Sequence, residues 1–513
     1  MAIFPWIIKK GVARRLRRLE KVLRDPAGAQ QQLLMDMVRK ARETEWGQDH
    51  SYDSIRTVRD FQAAVPVSRY DDLAPLWYRA FNGDRDVVWP GHIEYFSMSS
   101  GTTEGVTKML PLSSEAIRMN FRSGATLIGL CERQAGDGVM TGGNVLYFGG
   151  STRLEDRGPC KVGYASGINS ASIPRFARRR RLPAPDIADI DDWEERVEAI
   201  CERHLDTPIS AVAGQSSWVL ALFYRLIETA RHKRGSSVQT MADVWPDLRA
   251  VINFGTALDT YRPRFEEVIG RPVSFIDTYS SSEGGLNAVQ SVQDDTSMQL
   301  EVDTTAFYEF VPADEIEKDR PTRLTLDQIE PDVDYALLLT TPSGIWAYDI
   351  GDIVRFTTLD PPKLQVVGRT HLTLNMFAEH VIVHEVEQAM SAACRALGAE
   401  VAEFTVGGHP PPPGEPCGWH MWLVEFEGDV PPLDRFTVEL DRALARENFD
   451  YAAHRKDDLS MARPVVEPMH PGTFYRWAQQ NDALGGQHKI PHIARSQEML
   501  AELSEISGRL AGQ

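Results

Sequence analysis

The sequence has five cysteines, Cys131, Cys160, Cys201, Cys394 and Cys417, an odd number with no C-x-x-C pair. That spacing argues against a disulfide framework, a zinc ribbon and a redox dithiol, and it predicts a reduced, cytoplasmic protein. No apolar run approaches the roughly 20 residues that a membrane-spanning helix needs. Basic charge is in deficit: 55 Lys and Arg against 73 Asp and Glu leave a net charge of −18. Such a chain repels phosphate backbones, which excludes a general nucleic-acid binder unless its basic residues are clustered. The G-x-x-x-x-G-K-[ST] phosphate loop, the G-x-S-x-G nucleophile elbow and G-x-G-x-x-G after a strand are all missing. His380 and His384 lack a third ligand and the H-E-x-x-H order of a zinc site.

What is present fits an ordinary folded chain. Its 42% hydrophobic and 25% charged residues exclude disorder, and its 513 residues predict two to four domains. No repeat of solenoid period occurs. The first residues, MAIFPWIIKKGVARRLRRLEK, are apolar and then basic, the reverse of a signal peptide. They read as a solvated basic helix packed by Leu16, Leu19, Val22 and Leu23. A weak interfacial contact with a membrane surface is the alternative. The arginine run at 178–181 lies beside Pro174 and Pro183 and reads as an exposed loop.

Farther along, 29–45 carries a helical stripe, and Ser113 caps a helix with Glu115 in its first turn. Strand-like runs fall at 93–96, 145–148, 250–254, 273–276, 306–311, 336–340 and 364–367, with helices at 214–232 and 263–269. Strands alternating with helices predict an α/β domain with sizeable sheets. The segments 349–356 and 363–367 follow closely, as in an antiparallel β subdomain. Character shifts after about residue 370. A helix at 384–397, strands at 401–406 and 419–426, a stiff loop at 410–413 and a helix at 432–447 follow. A long irregular tail and a last helix near 495–510 complete a small α+β unit. The hinge is placed between Gly368 and Asn375.

Five constellations could carry chemistry. The first is Ser99-Ser100-Gly101-Thr102-Thr103-Glu104-Gly105-Val106-Thr107-Lys108, with a strand expected to lead in and a helix to lead out. Glycines let backbone N–H groups approach phosphate oxygens, hydroxyls donate, and lysine adds charge. The bland alternative is a surface loop of small residues. The second, Tyr279-Ser280-Ser281-Ser282-Glu283-Gly284-Gly285, follows the strand at 273–276. There Glu283 could hold Mg²⁺ or be a turn acid. The third, Tyr348-Asp349-Ile350-Gly351-Asp352, puts an acid after glycine, suited to a ribose diol or to plain hairpin-turn chemistry. Val367-Gly368-Arg369 lies at the junction. The last, Leu484-Gly485-Gly486-Gln487-His488-Lys489, is a Gly-rich loop with one lysine.

Taken in this order, the motifs resemble the adenylate-forming enzymes and, within them, the Gretchen Hagen family of acyl-acid amido synthetases. The likeness runs from Thr44-Glu45-Trp46-Gly47 and Val65-Pro66-Val67-Ser68-Arg69-Tyr70 through the five constellations. It also takes in Phe254-Gly255-Thr256-Ala257, Phe307-Tyr308-Glu309-Phe310-Val311-Pro312 and Pro471-Gly472-Thr473-Phe474. The first loop is spaced as in this family and not as in acyl-CoA ligases, though Glu104 stands where the family usually has glycine. The resemblance implies a large α/β N-terminal adenylation domain over 1–370, binding ATP and an acyl acid. It implies a small mobile α+β lid over 371–513.

It also implies the roles. Ser99, Ser100, Thr102 and Thr103, with Lys108, would wrap the phosphates of ATP. Gly255, Thr256 and Ala257 would line the adenine, and Tyr279 would stack near it. Ser282 would touch the α-phosphate, Glu283 would bind Mg²⁺, Asp352 would hold the ribose and Arg369 would sit by the nucleotide. Lys489 would meet the α-phosphate and the acyl carboxylate. The implied partners are a small carboxylic acid and an amine, expected to be an amino acid. Transfer to a thiol and a non-catalytic acyl-acid binder remain as alternatives.

Overall fold

Parallel strands covered on both faces read as unbroken apolar runs. Asn144–Phe148, Ile209–Gly214 and Ala250–Phe254 come close to this, and with the more polar Ser274–Ser281 they lie side by side in parallel. Arg181–Leu182 adds to the edge. The computed structural model describes residues 3–511 except 100–107, 174–180, 191, 256–257, 259–260, 370–372, 413–414, 416, 459, 482–489 and 495.

Beyond Ser274–Ser281 the chain reverses at 282–284, and Gly285–Gln290 pairs antiparallel with it. Met298–Leu300, Pro362–Arg369, Ile345–Leu359, Asp334–Thr341 and Phe307–Pro312 continue the same sheet, antiparallel throughout. The result is eleven strands among the described residues. The antiparallel part read at 349–356 and 363–367 is thus an extension of the main sheet. A separate four-stranded sheet joins Lys108–Leu112, Tyr95–Ser99, Cys160–Tyr164 and Glu155–Arg157.

Ser113 Oγ accepts from Ala116 N at 3.1 Å and starts the helix Ser114–Ala135. That helix and Ile3–Val22 cover the parallel strands, where Leu16 and Leu19 share a core with Leu130, Ala211, Ile252 and Ile276. A buried ion network fastens the first helix. Arg15 pairs with Glu301 at 2.8 Å and Asp303 at 2.7 Å, and its Nε donates to Thr126 Oγ1 at 2.8 Å. An aromatic core of Tyr52, Phe61, Trp77, Trp89, Phe96 and Trp346 packs the early helices against the start of Ile345–Leu359.

The chain divides into two compact units, the first built mainly from residues 1–370 and the second mainly from 371–513. In the second, the sheet of Glu400–His409, Trp419–Glu427 and Val465–Pro468 carries the helices Val383–Leu397 and Leu433–Glu447. Val386, Met390, Phe436 and Leu440 meet Val406, Trp422 and Val424 in its core. The tail read as irregular contains the helices Phe449–Arg455 and Thr473–Gln480 and the strand Val465–Pro468. Each is too short to show a clear hydrophobic period. No helix among the described residues is long and apolar enough to cross a membrane.

Arg323 and Glu309 form a bidentate pair at 2.9 and 2.7 Å, almost wholly buried, with Gln62 Nε2 donating to Glu309 at 3.0 Å. Removing one partner of such a pair leaves an uncompensated charge, which costs about 3–5 kcal/mol. Arg323→Met is expected to destabilise the first unit by that amount in equilibrium denaturation. Adding Glu309→Leu should recover much of the loss. A single-variant loss below about 1 kcal/mol, the size of an exposed pair, would refute the assignment.

Candidate active site

The pairing of Ile345–Leu359 with Asp334–Thr341 fixes where Asp352 points. Asp349 lies opposite Leu338 and Ile353 opposite Ala336, so three residues, 350–352, face one. This is a bulge, which bends a strand and redirects a side chain. Gly351 sits in it at φ +81°, a backbone region that costs glycine little. Asp352 therefore lies in a kink within a fifteen-residue strand, not in the hairpin turn that Gly-Asp suggests.

On its other side Asp352 is in register with Arg369. Arg369 Nε donates to Asp352 Oδ1 at 2.9 Å, and Tyr279 Oη donates to Oδ2 at 2.6 Å. Asp352 and Tyr279 are both buried. Burial and the adjacent Asp352 charge push the Tyr279 phenol well above its ordinary pKa, so it remains a donor. Burial opposes the charge on Arg369, but Asp352 outweighs it and holds the guanidinium above its usual value.

Tyr279 lies within the strand Ser274–Ser281, which runs five residues past the expected end at Ile276. Glu283 lies in the turn between antiparallel strands. Ser281 Oγ secures the turn by accepting from Gly284 N at 3.0 Å and Asn287 Nδ2 at 3.2 Å. Gly285 closes it at φ +73°, where a Cβ would collide with the Asn120 side chain. Glu283 is half-buried, and its carboxylate makes no hydrogen bond or ion pair to another described residue. Desolvation raises its pKa. Its own backbone N–H, Lys108 and Arg369 pull the value down, and Asp352 pushes it up.

Lys108 does not follow the loop into a helix. It opens the strand Lys108–Leu112, in register with Ser99, so the loop 100–107 joins two antiparallel strands. Its Nζ stands 5.3 Å from the Tyr70 ring centroid. Burial lowers the Lys108 pKa, while Glu283 is the strongest opposing charge. Two cations and two carboxylates from three strands and a turn thus share one partly dry region. Gly255 ends the neighbouring strand at φ +84°, one residue past the Phe254–Thr278 pairing. Ser282 lies in the Glu283 turn. Ser99 is placed by its backbone at the end of Tyr95–Ser99. Ser100, Thr102, Thr103, Thr256, Ala257 and Lys489 lie outside the described residues.

Two neighbours had no role in the sequence reading. Asp349 Oδ1 accepts from Gly351 N at 2.9 Å and braces the bulge, with Arg69 Nε 3.7 Å from its other oxygen. Tyr70 Oη accepts from Met109 N at 3.1 Å and fixes the strand start beside Lys108. The signal for Asp349 was an acid two residues before a glycine, which is Asx-turn chemistry. No group of three or more His, Cys, Asp or Glu among the described residues could cage a metal. A single unpaired Glu283 fits Mg²⁺ arriving on phosphates, since that ion keeps its waters and takes one or two carboxylates.

Three family descriptions match the chain in order. They are the GH3 family N-terminal domain over residues 15–185, its central domain over 300–369 and its C-terminal domain over 384–498. Indole-3-acetic acid-amido synthetase GH3.8 of Oryza sativa subsp. indica is 23% identical over 565 residues, covering 94% of this chain and 91% of that protein. Jasmonoyl–L-amino acid synthetase JAR6 of Nicotiana attenuata is 22% identical, covering 93% and 92%. The solved structure of AtGH3.15 acyl acid amido synthetase in complex with 2,4-DB superposes with a TM-score of 0.61 at 18% identity, over 96% of each chain. With all three of its domain descriptions matched in sequence, the chain belongs to the GH3 family of adenylate-forming enzymes.

Proposed function

We propose that this protein is an ATP-dependent acyl-acid amido synthetase. A carboxylate attacks the α-phosphorus of ATP, giving acyl-AMP and pyrophosphate. An amine, in this proposal that of an amino acid, then attacks the acyl carbonyl and releases AMP. The observation that carries the reading is the meeting of Tyr279, Asp352, Arg369, Lys108 and Glu283 around one end of the main sheet. Phosphoryl chemistry of this kind asks the protein for positioning and charge stabilisation rather than covalent work.

Each oxygen of Asp352 accepts one bond and keeps a second lone pair, so the carboxylate can take a ribose hydroxyl while Tyr279 and Arg369 hold it still. Lys108 supplies a point charge to the phosphates, together with the loop of Ser99, Ser100, Thr102 and Thr103. Gly255, Thr256, Ala257 and Tyr279 border the adenine, and Ser282 meets the α-phosphate. Glu283 would hold Mg²⁺, which when bound neutralises charge on the phosphates. Residues 1–370 would carry adenylation. Residues 371–513, with Lys489, would form a lid that keeps water from the acyl adenylate. The five cysteines are free, in keeping with a proposed cytoplasmic setting.

Glu283→Gln keeps shape and removes charge. Metal-linked stabilisation of phosphates contributes several kcal/mol, so pyrophosphate exchange should fall by about 10²-fold or more with the fold intact. Near-normal exchange would return Glu283 to a turn acid.

A hydrogen bond to a charged group contributes about 1.5–3 kcal/mol. Asp352→Ala should therefore weaken ATP binding about ten- to a hundredfold in calorimetry. Tyr279→Phe removes one brace and leaves the carboxylate, and should cost less than about tenfold. Equal losses in both variants would mean that Asp352 acts only through the fold.

The test of the overall reading is a panel of carboxylic acids assayed for pyrophosphate release with mixed amino acids, and separately with coenzyme A. AMP release with acyl-amino acid as product is the expected result. Faster acyl-CoA formation would favour a thiol ligase, and no pyrophosphate release with any acid would favour a binder.

A further inference from the structure

A helix turns 100° per residue, and the first one, Ile3–Val22, sorts its side chains into two opposed faces. Val12, Arg15, Leu16 and Leu19 are buried against the fold. Trp6, Lys10, Arg14, Arg17 and Lys21 fall within about 40° of a single line on the far side, and all five are exposed. Arg24 extends the line in the turn that follows. Trp6 is 59% exposed, with Lys10 Nζ 4.8 Å from its ring.

The remaining cations of this helix are occupied. Lys9 pairs with Asp137, Arg15 with Glu301 and Asp303, and Arg18 with Asp303. The one acid, Glu20, pairs with Arg133 of a neighbouring helix. Lys10, Arg14, Arg17, Lys21 and Arg24 pair with no carboxylate among the described residues. Residues 1–24 hold eight basic and one acidic side chain, in a chain of net charge −18. Like charges at i,i+4 repel, and no carboxylate among the described residues relieves these.

We infer that this stripe docks the protein on an anionic lipid surface. The helix lies in the plane of the surface, with its cations over the headgroup phosphates and Trp6 at the acyl boundary. Lipid is favoured over nucleic acid because the basic stripe begins at an exposed tryptophan within the apolar sequence Ile3-Phe4-Pro5-Trp6-Ile7-Ile8. That is the layout of an interfacial helix, and a polyanionic strand gains little from it. The Arg15 network keeps the helix seated, so docking requires no unfolding. The cytoplasmic leaflet carries the matching negative potential.

The test uses the full-length protein in vesicle flotation, with phosphatidylcholine alone and with added phosphatidylglycerol. Flotation is expected only with the anionic lipid, and it should weaken as salt rises. A basic side chain near such a surface contributes about fivefold in partition, so the triple variant R14Q/R17Q/K21Q should lose about 10²-fold. Its melting temperature should be unchanged, because all three residues are exposed and make no ion pair among the described residues. Trp6→Ala should cost about tenfold, on the scale of burying a large apolar side chain. Flotation with neither vesicle, equal flotation with both, or a triple variant that floats like the parent would overturn the proposal. Unchanged flotation of Trp6→Ala would overturn the in-plane placement. Retention on duplex RNA but not on vesicles, lost in the same triple variant, would replace lipid by nucleic acid.

Discussion

Asp352 makes three strands agree. Its carboxylate joins Tyr279 on one strand and Arg369 on another, and it leaves its own strand through a bulge braced by Asp349. A carboxylate this buried is costly to desolvate without partners. Two donors, one of them cationic, keep both oxygens bonded. The pairing register carries the same condition. A slip of one residue in Pro362–Arg369 would turn Arg369 to the opposite face and leave the carboxylate without its cation. Site geometry and sheet register are one constraint here, and the long strand Ile345–Leu359 is anchored at its start by the Trp346 core so that it can meet it.

Glu283 shows the reverse condition. It is desolvated, yet no neighbour among the described residues neutralises it at contact distance. Lys108 is a comparably desolvated cation without an ion pair among those residues. Desolvated charges without a contact partner among the described residues cost stability, and a ligand that brings the complementary charge offsets that cost. Arg323 and Glu309 in the same unit, by contrast, pair directly.

Three strands of the parallel half were legible from short apolar runs, and Ala250–Phe254 matches the sequence reading residue for residue, while Ile209–Gly214, rich in small residues, was not read as a strand. The Ser113 cap was legible because one hydroxyl before an amphipathic stretch has a single good use. What was not legible depends on partners distant in sequence. Lys108–Leu112 is a strand because Tyr95–Ser99 pairs with it, although Pro111 and its brevity hide it. The bulge at Gly351 exists only relative to the opposite strand, so the local sequence favoured a turn. The same holds in the site, where residue types at 283 and 352 pointed to nucleotide chemistry and the resemblance added 279 and 369. That Tyr279 and Arg369 share Asp352 could not be read, since 73 and 17 residues separate those pairs.

A net charge of −18 and a polyanionic nucleotide are compatible because electrostatics in salt water is local. Screening over about 8 Å at physiological ionic strength makes the nearest cations decisive and the total charge secondary. Overall charge therefore excludes extended polyanions lying across the average surface, and says little about a cleft or a single helix. The fold settles the matter by pairing. Lys9, Arg15 and Arg18 are neutralised by carboxylates that hold the first helix in place, and Glu20 is bound by Arg133. Among the described residues, Lys108 beside the Asp352 clasp and the cations along the outer line of that helix make no ion pair. Net charge locates neither place; burial singles out Lys108, and a shared exposed helix face singles out the others.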